Sequence, residues 1–166
     1  EFLPDDFSNG LVGCMFPWSY NETNLEFGYD RNPMSTAYIP EGEGDFYYAG
    51  ALIGGKTEAF LKMSETILNN IQEDEKKGVI ALWHDESHLN RYFMDNPPKC
   101  LTPAYCYPER WKSPFPEIIR LFDKNGSWGG YAYLRGEKAG VKDYLRSYKV
   151  KIKYMIMPFY RFVCRK

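Results

Sequence analysis

The sequence is poor in the features that settle a compartment or a cofactor at a glance. Its four cysteines, Cys14, Cys100, Cys106 and Cys164, show no C-x-x-C spacing, which excludes a zinc ribbon and a thioredoxin-like motif. A chain of 166 residues buries a sizeable core without disulfide staples, so a reducing, cytoplasmic setting is the expected one. No apolar run reaches membrane-spanning length, and no signal peptide is recognisable. The net charge of −1 excludes a generally basic nucleic-acid binder. Internal repeats and low-complexity stretches are absent, and 44% hydrophobic against 26% charged residues excludes wholesale disorder.

What is abundant is aromatic: 14 Tyr, 11 Phe and 4 Trp. Flat aromatic faces stack on sugars and nucleobases, and they equally build cores. Charge is unevenly spread. Residues 137–166 carry nine Lys or Arg against two acidic residues, which leaves residues 1–136 at −8. Within that tail Lys149, Lys151 and Lys153 alternate with Val150, Ile152 and Tyr154, a period that reads as a strand or an extended interfacial ribbon. Lysines interleaved with aromatics suit an anionic bilayer surface, so the chain is expected to sit peripherally on the inner face of a membrane. A terminal strand packed on the body, or a site for a partner protein, is the alternative. The division expected is a body, 1–136, and a basic aromatic tail, 137–166.

Along the body, residues 1–32 are rich in loop signals, with one strand expected around 10–16. Residues 37–40 form a short extended piece, and 45–53 an apolar, aromatic strand flanked by glycines. The clearest helix is 57–73: Thr57 caps it, and Phe60, Leu61, Met63, Ile67, Leu68 and Ile71 recur at helical spacing. A short buried strand is expected over 79–83, then a helix over 86–95 stopped by Asn96-Pro97-Pro98.

The chemistry concentrates in Trp83-His84-Asp85-Glu86-Ser87-His88-Leu89-Asn90, two carboxylates and two imidazoles where a strand is expected to end. Three readings compete. His84 and His88 are four apart, as two metal ligands on one helical face would be, but a zincin needs Glu directly after the first His and this sequence has Asp85. Alternatively Asp85 or Ser87 caps a helix and the histidines satisfy buried backbone groups, which alone explains acidic residues here. The third is glycosyl chemistry, in which a carboxylate stabilises a forming oxocarbenium ion and a neighbouring Trp walls the sugar.

The same block, together with Glu43-Gly44-Asp45-Phe46-Tyr47-Tyr48 and the following Gly54-Gly55, resembles glycosyltransferase family 6. That family holds the histo-blood-group A and B transferases and the α1,3-galactosyltransferases. Ser35-Thr36-Ala37-Tyr38-Ile39-Pro40 and Thr102-Pro103-Ala104-Tyr105 follow the same pattern in the same order, over about residues 10–135. Asn96-Pro97-Pro98 and Tyr107-Pro108-Glu109-Arg110-Trp111 are most similar to its bacterial branch.

The resemblance implies the C-terminal, acceptor-side portion of an α/β, GT-A type fold. It implies retaining transfer of galactose or N-acetylgalactosamine from a UDP-sugar, in α1,3 linkage, to a terminal β-galactoside. Glu86 matches the family's catalytic glutamate, as nucleophile or electrostatic stabiliser. Asp85 and His84 match donor-sugar contacts, and Ala49-Gly50-Ala51 the segment that reads the sugar's C2 substituent, with Ala51 pointing to galactose. Trp83, Trp18, Phe16, His88 and Glu109 fall to the acceptor side, and Lys124 and Arg135 match the basic pair that neutralises the pyrophosphate, with Gly126, Gly129 and Gly130 as its hinge.

Departures from the family pattern also carry information. Phe16 stands where a His or Gln usually binds the acceptor's O4, and Gly28 where a threonine precedes the Tyr-Glu-Arg that is here Tyr29-Asp30-Arg31. Trp18 matches the galactosyltransferases rather than the blood-group enzymes, against a fucosylated acceptor and toward stacking. The family's uridine site and Asp-x-Asp motif are expected upstream of residue 1, and Asp5-Asp6 fits neither that motif nor the bacterial Asn-x-Asn. No metal ligand falls in this chain; Mn2+ enters only with an upstream Asp-x-Asp, and metal independence is expected. A non-catalytic carbohydrate-binding remnant is the competing function.

Overall fold

The computed structural model describes residues 9–109, 113–124 and 135–137, with positions 140, 141, 145, 148, 149 and 152. Asp5-Asp6, Arg110-Trp111, the glycines at 126, 129 and 130, and most of the basic tail lie outside the described residues. The chain forms two compact units: Glu1–Tyr107 with Ser113–Ile119, and Pro108–Lys112 with Arg120–Lys166.

The first unit is mixed α/β. Its three-stranded sheet has the order β2-β1-β3, with β1 (Leu11–Met15) in the centre, antiparallel to β2 (Tyr48–Gly55) and parallel to β3 (Lys99–Leu101). Central placement explains why Leu11, Val12 and Cys14 are all buried rather than alternating. Between β2 and β3 run α1 (Thr57–Lys76) and α2 (Asp85–Asp95), and Pro103–Cys106 makes one 3-10 turn after β3. The two-residue strands β4 (Tyr107–Pro108) and β5 (Arg120–Leu121) follow.

The ladder between β1 and β2 breaks once. Gly13 pairs with Ile53 but the next residue, Cys14, pairs with Ala49, so Gly50, Ala51 and Leu52 bulge out of register. A bulge frees backbone groups from the ladder and redirects the strand. This one lies directly beside the N-terminus of α2.

Among the described residues, two hydrophobic clusters hold the unit. One packs Leu11 and Tyr48 from the sheet against Met63 of α1 and Leu89, Tyr92 and Phe93 of α2. The other joins Phe27, Tyr29, Ile39 and Tyr47. Burying each such side chain contributes about 1.5–3 kcal/mol. Of the apolar positions expected to line α1, Phe60, Met63 and Ile67 meet this core, whereas Leu61 and Leu68 are exposed.

Several expectations need correction. Thr57 is not the cap of α1: Lys56 is, without a side-chain bond, and the helix runs on to Lys76. The segment 79–83 is not a buried strand. Ile80, Leu82 and Trp83 are exposed, and the backbone is held by groups other than a ladder. Val79 N–H donates to Asp74 O, Leu82 N–H to Asp30 Oδ2 and Trp83 N–H to Ser87 Oγ, which leaves no donor row for a neighbouring strand. In the tail, Val141, Leu145, Tyr148, Lys149 and Ile152 are helical rather than extended. Apolar positions spaced four, three and four residues apart prevail there over the local alternation of lysines.

Candidate active site

Three buried polar side chains assemble the region around α2. Asn90 Oδ1 accepts from Tyr48 N–H at 2.8 Å, while its Nδ2 donates to Tyr48 O and Glu86 O, both at 2.9 Å. It thus acts as a ladder partner for β2 and fixes α2 against it. Asp30 caps two turns, accepting from Asn32 N–H at 2.9 Å and Leu82 N–H at 3.1 Å. Asp74, near the end of α1, accepts from Ser35 Oγ at 2.9 Å and Thr36 N–H at 2.8 Å. Arg31 donates to the carbonyls of Asn24, Ile39 and Pro40 and lies 5.2 Å over the Tyr29 ring. The Tyr29-Asp30-Arg31 motif is therefore a clamp for the loops that lead into the site.

The turn into α2 is strained. His84 adopts φ 53°, ψ −122°, the single non-glycine positive φ among the described residues. Such a conformation costs of order 1–3 kcal/mol and persists where the surroundings impose it. Here Ala81 O accepts from His84 N–H at 3.0 Å and Trp83 O from Glu86 N–H at 3.1 Å.

Glu86, half-buried, points toward β2. Its Oε1 accepts from the Tyr47 hydroxyl at 2.8 Å and its Oε2 from Gly50 N–H at 2.7 Å. The second bond exists because the bulge takes that N–H out of the ladder. Glycine eases the close approach: a β-carbon at position 50 would lie 3.3 Å from Glu86 Oε2 and crowd it. Burial, and the carboxylate beside it, push the Tyr47 hydroxyl far above the ordinary tyrosine range, so it remains a donor.

Tyr47 links this carboxylate to further aromatic rings. The Phe16 ring is 5.5 Å from Tyr47, edge-on, and 5.2 Å from Trp18. Trp83 and Trp18 are each about half exposed, at 54% and 50%. A β-carbon on Gly28 would sit 3.1 Å from Trp83 Nε1 and 3.7 Å from the Tyr47 ring, so the missing side chain at 28 makes room for the indole.

The remaining expected residues divide by side. Asp85 and Gly50 line one cavity of about 300 Å³ with Ile67 and Leu89. Asp85 also borders a second cavity, of about 430 Å³, lined by His84, His88, Asp74 and Ile80. Ala51 and Gly50 are open, whereas Ala49 is 2% exposed and offers no surface to a ligand. His88 also differs from expectation. At 3% exposure it is turned inward, Nε2 3.8 Å from Asp74 Oδ2, with Nδ1 lacking a hydrogen bond. Burial lowers its pKa against the opposing pull of Asp74, Asp30 and Asp85, so the neutral imidazole is favoured. In the second unit Glu109 Oε2 accepts from Asp123 N–H at 3.0 Å, and Lys124 and Arg135 belong to that unit. Among the described residues no group of three or more His, Cys, Asp or Glu is placed to hold a metal ion. Tyr47, Asn90, Asp30 and Asp74 received no role from the sequence, although Asn90, four residues after Glu86 on one helical face, offered a usable signal.

Fold and site together define an α/β domain that fixes one carboxylate against a buried aromatic cluster. Residues 5–127 match the pattern of glycosyltransferase family 6, and the chain belongs to that family. It is 39% identical over 120 residues to globoside alpha-1,3-N-acetylgalactosaminyltransferase 1 of Gallus gallus, covering 69% of this chain and 35% of that protein. It is 40% identical over 103 residues to histo-blood group ABO system transferase 1 of Rattus norvegicus, covering 61% and 30%. Glycosyltransferase 6 domain-containing protein 1 of Macaca fascicularis is 38% identical over 109 residues, covering 65% and 34%. The chain thus spans about a third of the length of these relatives.

Proposed function

We propose that the protein carrying this chain is a retaining hexosyltransferase. It moves galactose or N-acetylgalactosamine from a UDP-sugar, in α1,3 linkage, to a terminal β-galactoside. The observation that carries this reading is the Glu86 carboxylate, held in one direction by two hydrogen bonds. In the transfer, Glu86 faces the anomeric carbon as positive charge develops and stabilises it, or forms the glycosyl bond itself. Asp85, which shares a cavity with Gly50, takes donor hydroxyls, while Ala51 limits room at C2. Trp83 and Trp18 supply flat faces for the acceptor sugar, and Lys124 and Arg135 neutralise the departing diphosphate. The family relationship and the relatives' names support the reaction class; the GT-A type and the sugar preference rest on the residue pattern. The test is product analysis: full-length protein with lactose and either UDP-sugar, the product's anomer and linkage read by NMR. An α1,3-linked trisaccharide supports the proposal. A β-linked product, or sugar binding without transfer, refutes it.

The tail extends the same reading to a location. Val141, Leu145, Tyr148 and Ile152 are exposed, with Lys149 beside them, and the sequence around them is rich in basic residues. Exposed apolar and aromatic side chains interleaved with basic ones suit the interface of an anionic bilayer. No helix among the described residues is long and apolar enough to cross a membrane. Sedimentation with phosphatidylglycerol vesicles but not phosphatidylcholine vesicles, abolished by Leu145→Glu, is the expected result. Equal binding to both vesicles, or to neither, contradicts it.

A further inference from the structure

We propose that Tyr47 is a positioning residue for transfer, setting the direction of the Glu86 carboxylate through its hydroxyl, with Gly50 as the second anchor. This rests on the reading of Glu86 as the catalytic carboxylate and goes beyond it, because nothing in the sequence motif marks Tyr47 for that task.

A glutamate has three side-chain torsions, and holding its head group to one angle takes two contacts of fixed origin. One contact comes from Tyr47, the residue before β2, and the other from Gly50 within it. The Tyr47 ring is 4% exposed and wedged among Phe16, Phe27 and Tyr29, at centroid separations of 5.5, 6.3 and 5.6 Å. Such a ring delivers its hydroxyl to one point in space. Gly50 N–H comes from a bulge whose neighbours are ladder-paired, and the absence of a side chain there lets the carboxylate approach to 2.7 Å. Each carboxylate oxygen spends one lone-pair direction on its anchor and retains another for a ligand. The helix carrying Glu86 is registered to the same strand by Asn90. Carboxylate, anchors and helix therefore move as one body, which is the condition for a group that must meet a reacting carbon within about 0.5 Å.

Tyr29 provides the control. It belongs to the same cluster and has a hydroxyl of its own, but donates it to Phe46 O at 2.7 Å and makes no contact with Glu86.

The experiment compares Tyr47→Phe, Tyr29→Phe and Gly50→Ala in the full-length protein. A hydrogen bond to a charged group contributes about 1.5–3 kcal/mol, and each 1.36 kcal/mol is tenfold in rate. Tyr47→Phe is expected to lower kcat about tenfold or more while KM for donor and acceptor stays within about twofold. Gly50→Ala, whose methyl crowds the carboxylate while keeping the N–H, is expected to lower kcat too, and Tyr29→Phe to leave it unchanged. In parallel, infrared difference spectra with 13C-labelled glutamate, referenced to Glu86→Gln, are expected to show the Glu86 carboxylate stretch shifted by Tyr47→Phe and not by Tyr29→Phe. An equal kcat loss in both tyrosine variants, a change confined to KM, or an unshifted band overturns the proposal. An inactive wild type whose band still shifts with Tyr47→Phe would sink the transferase reading and leave the positioning contact standing.

Discussion

Removing the Asn90 amide tests the framework that aims Glu86. Asn90→Ala takes away both partners of Tyr48, whose N–H and carbonyl bond Asn90 at 2.8 and 2.9 Å in a region where both residues are buried. Glu86 O loses its side-chain donor as well, although as a residue inside α2 it keeps the helical bond available to it. Each buried backbone group left without a partner costs about 1–3 kcal/mol. Two such groups, with a small cavity in addition, give an expected loss of about 3–4 kcal/mol, a large fraction of a typical domain's stability. Urea unfolding followed by circular dichroism is the assay, with the midpoint compared at constant m. At about 2–4 °C per kcal/mol for a chain of this size, melting should fall by roughly 10 °C. A loss below about 1 kcal/mol with unchanged m would refute the reasoning, since the three bonds would then contribute no more than solvent does.

Other consequences are checked more simply. His88 has a lowered pKa, so the unfolded chain binds the proton first as pH falls below about 6.5. Its contribution to stability is complete above that value and declines below it. Denaturation midpoints should drop between pH 7.5 and 5.5 in the wild type and less steeply in His88→Gln; parallel profiles would contradict this. Gly28→Thr restores the family's residue against Trp83 Nε1 and should raise acceptor KM at least about fivefold, the effect of roughly 1 kcal/mol of crowding, with donor KM unchanged. His84→Gly relieves a positive φ and should raise stability by about 1 kcal/mol after the entropy cost of glycine; a melting temperature lowered by several degrees would argue against strain at that turn.

The legible parts of the fold were those governed by local rules. Both helices and the strand at 11–15 follow from period and punctuation, since spacing every three to four residues specifies a helix wherever a core receives it. The segment 79–83 misleads because its apolar residues look buried, whereas the side chains of Asp30 and Ser87, one of them far away in sequence, claim its N–H groups. Glu86 and Trp83 stand out because carboxylates and indoles cluster in one block. The inward turn of His88 depends on the phase of α2 against α1, and on the buried Asp74 that faces it. The role of Tyr47 was hidden for a different reason. A bulge between Gly13 and Cys14 decides which β2 residues meet Glu86, and a sequence period gives no warning of a register break.

The proposed transfer depends on one carboxylate, Glu86, acting on a UDP-sugar. The most direct measurement is lactose-stimulated UDP release from UDP-galactose and UDP-N-acetylgalactosamine by the full-length protein and its Glu86→Gln variant, with and without EDTA. The variant keeps the side chain's size and a hydrogen-bonding head group but lacks the negative charge. The account predicts release in the wild type and a loss of about a hundredfold or more in the variant, the magnitude typical of removing one transition-state charge contact. Equal release by both proteins, or none from the wild type with either donor, would contradict it.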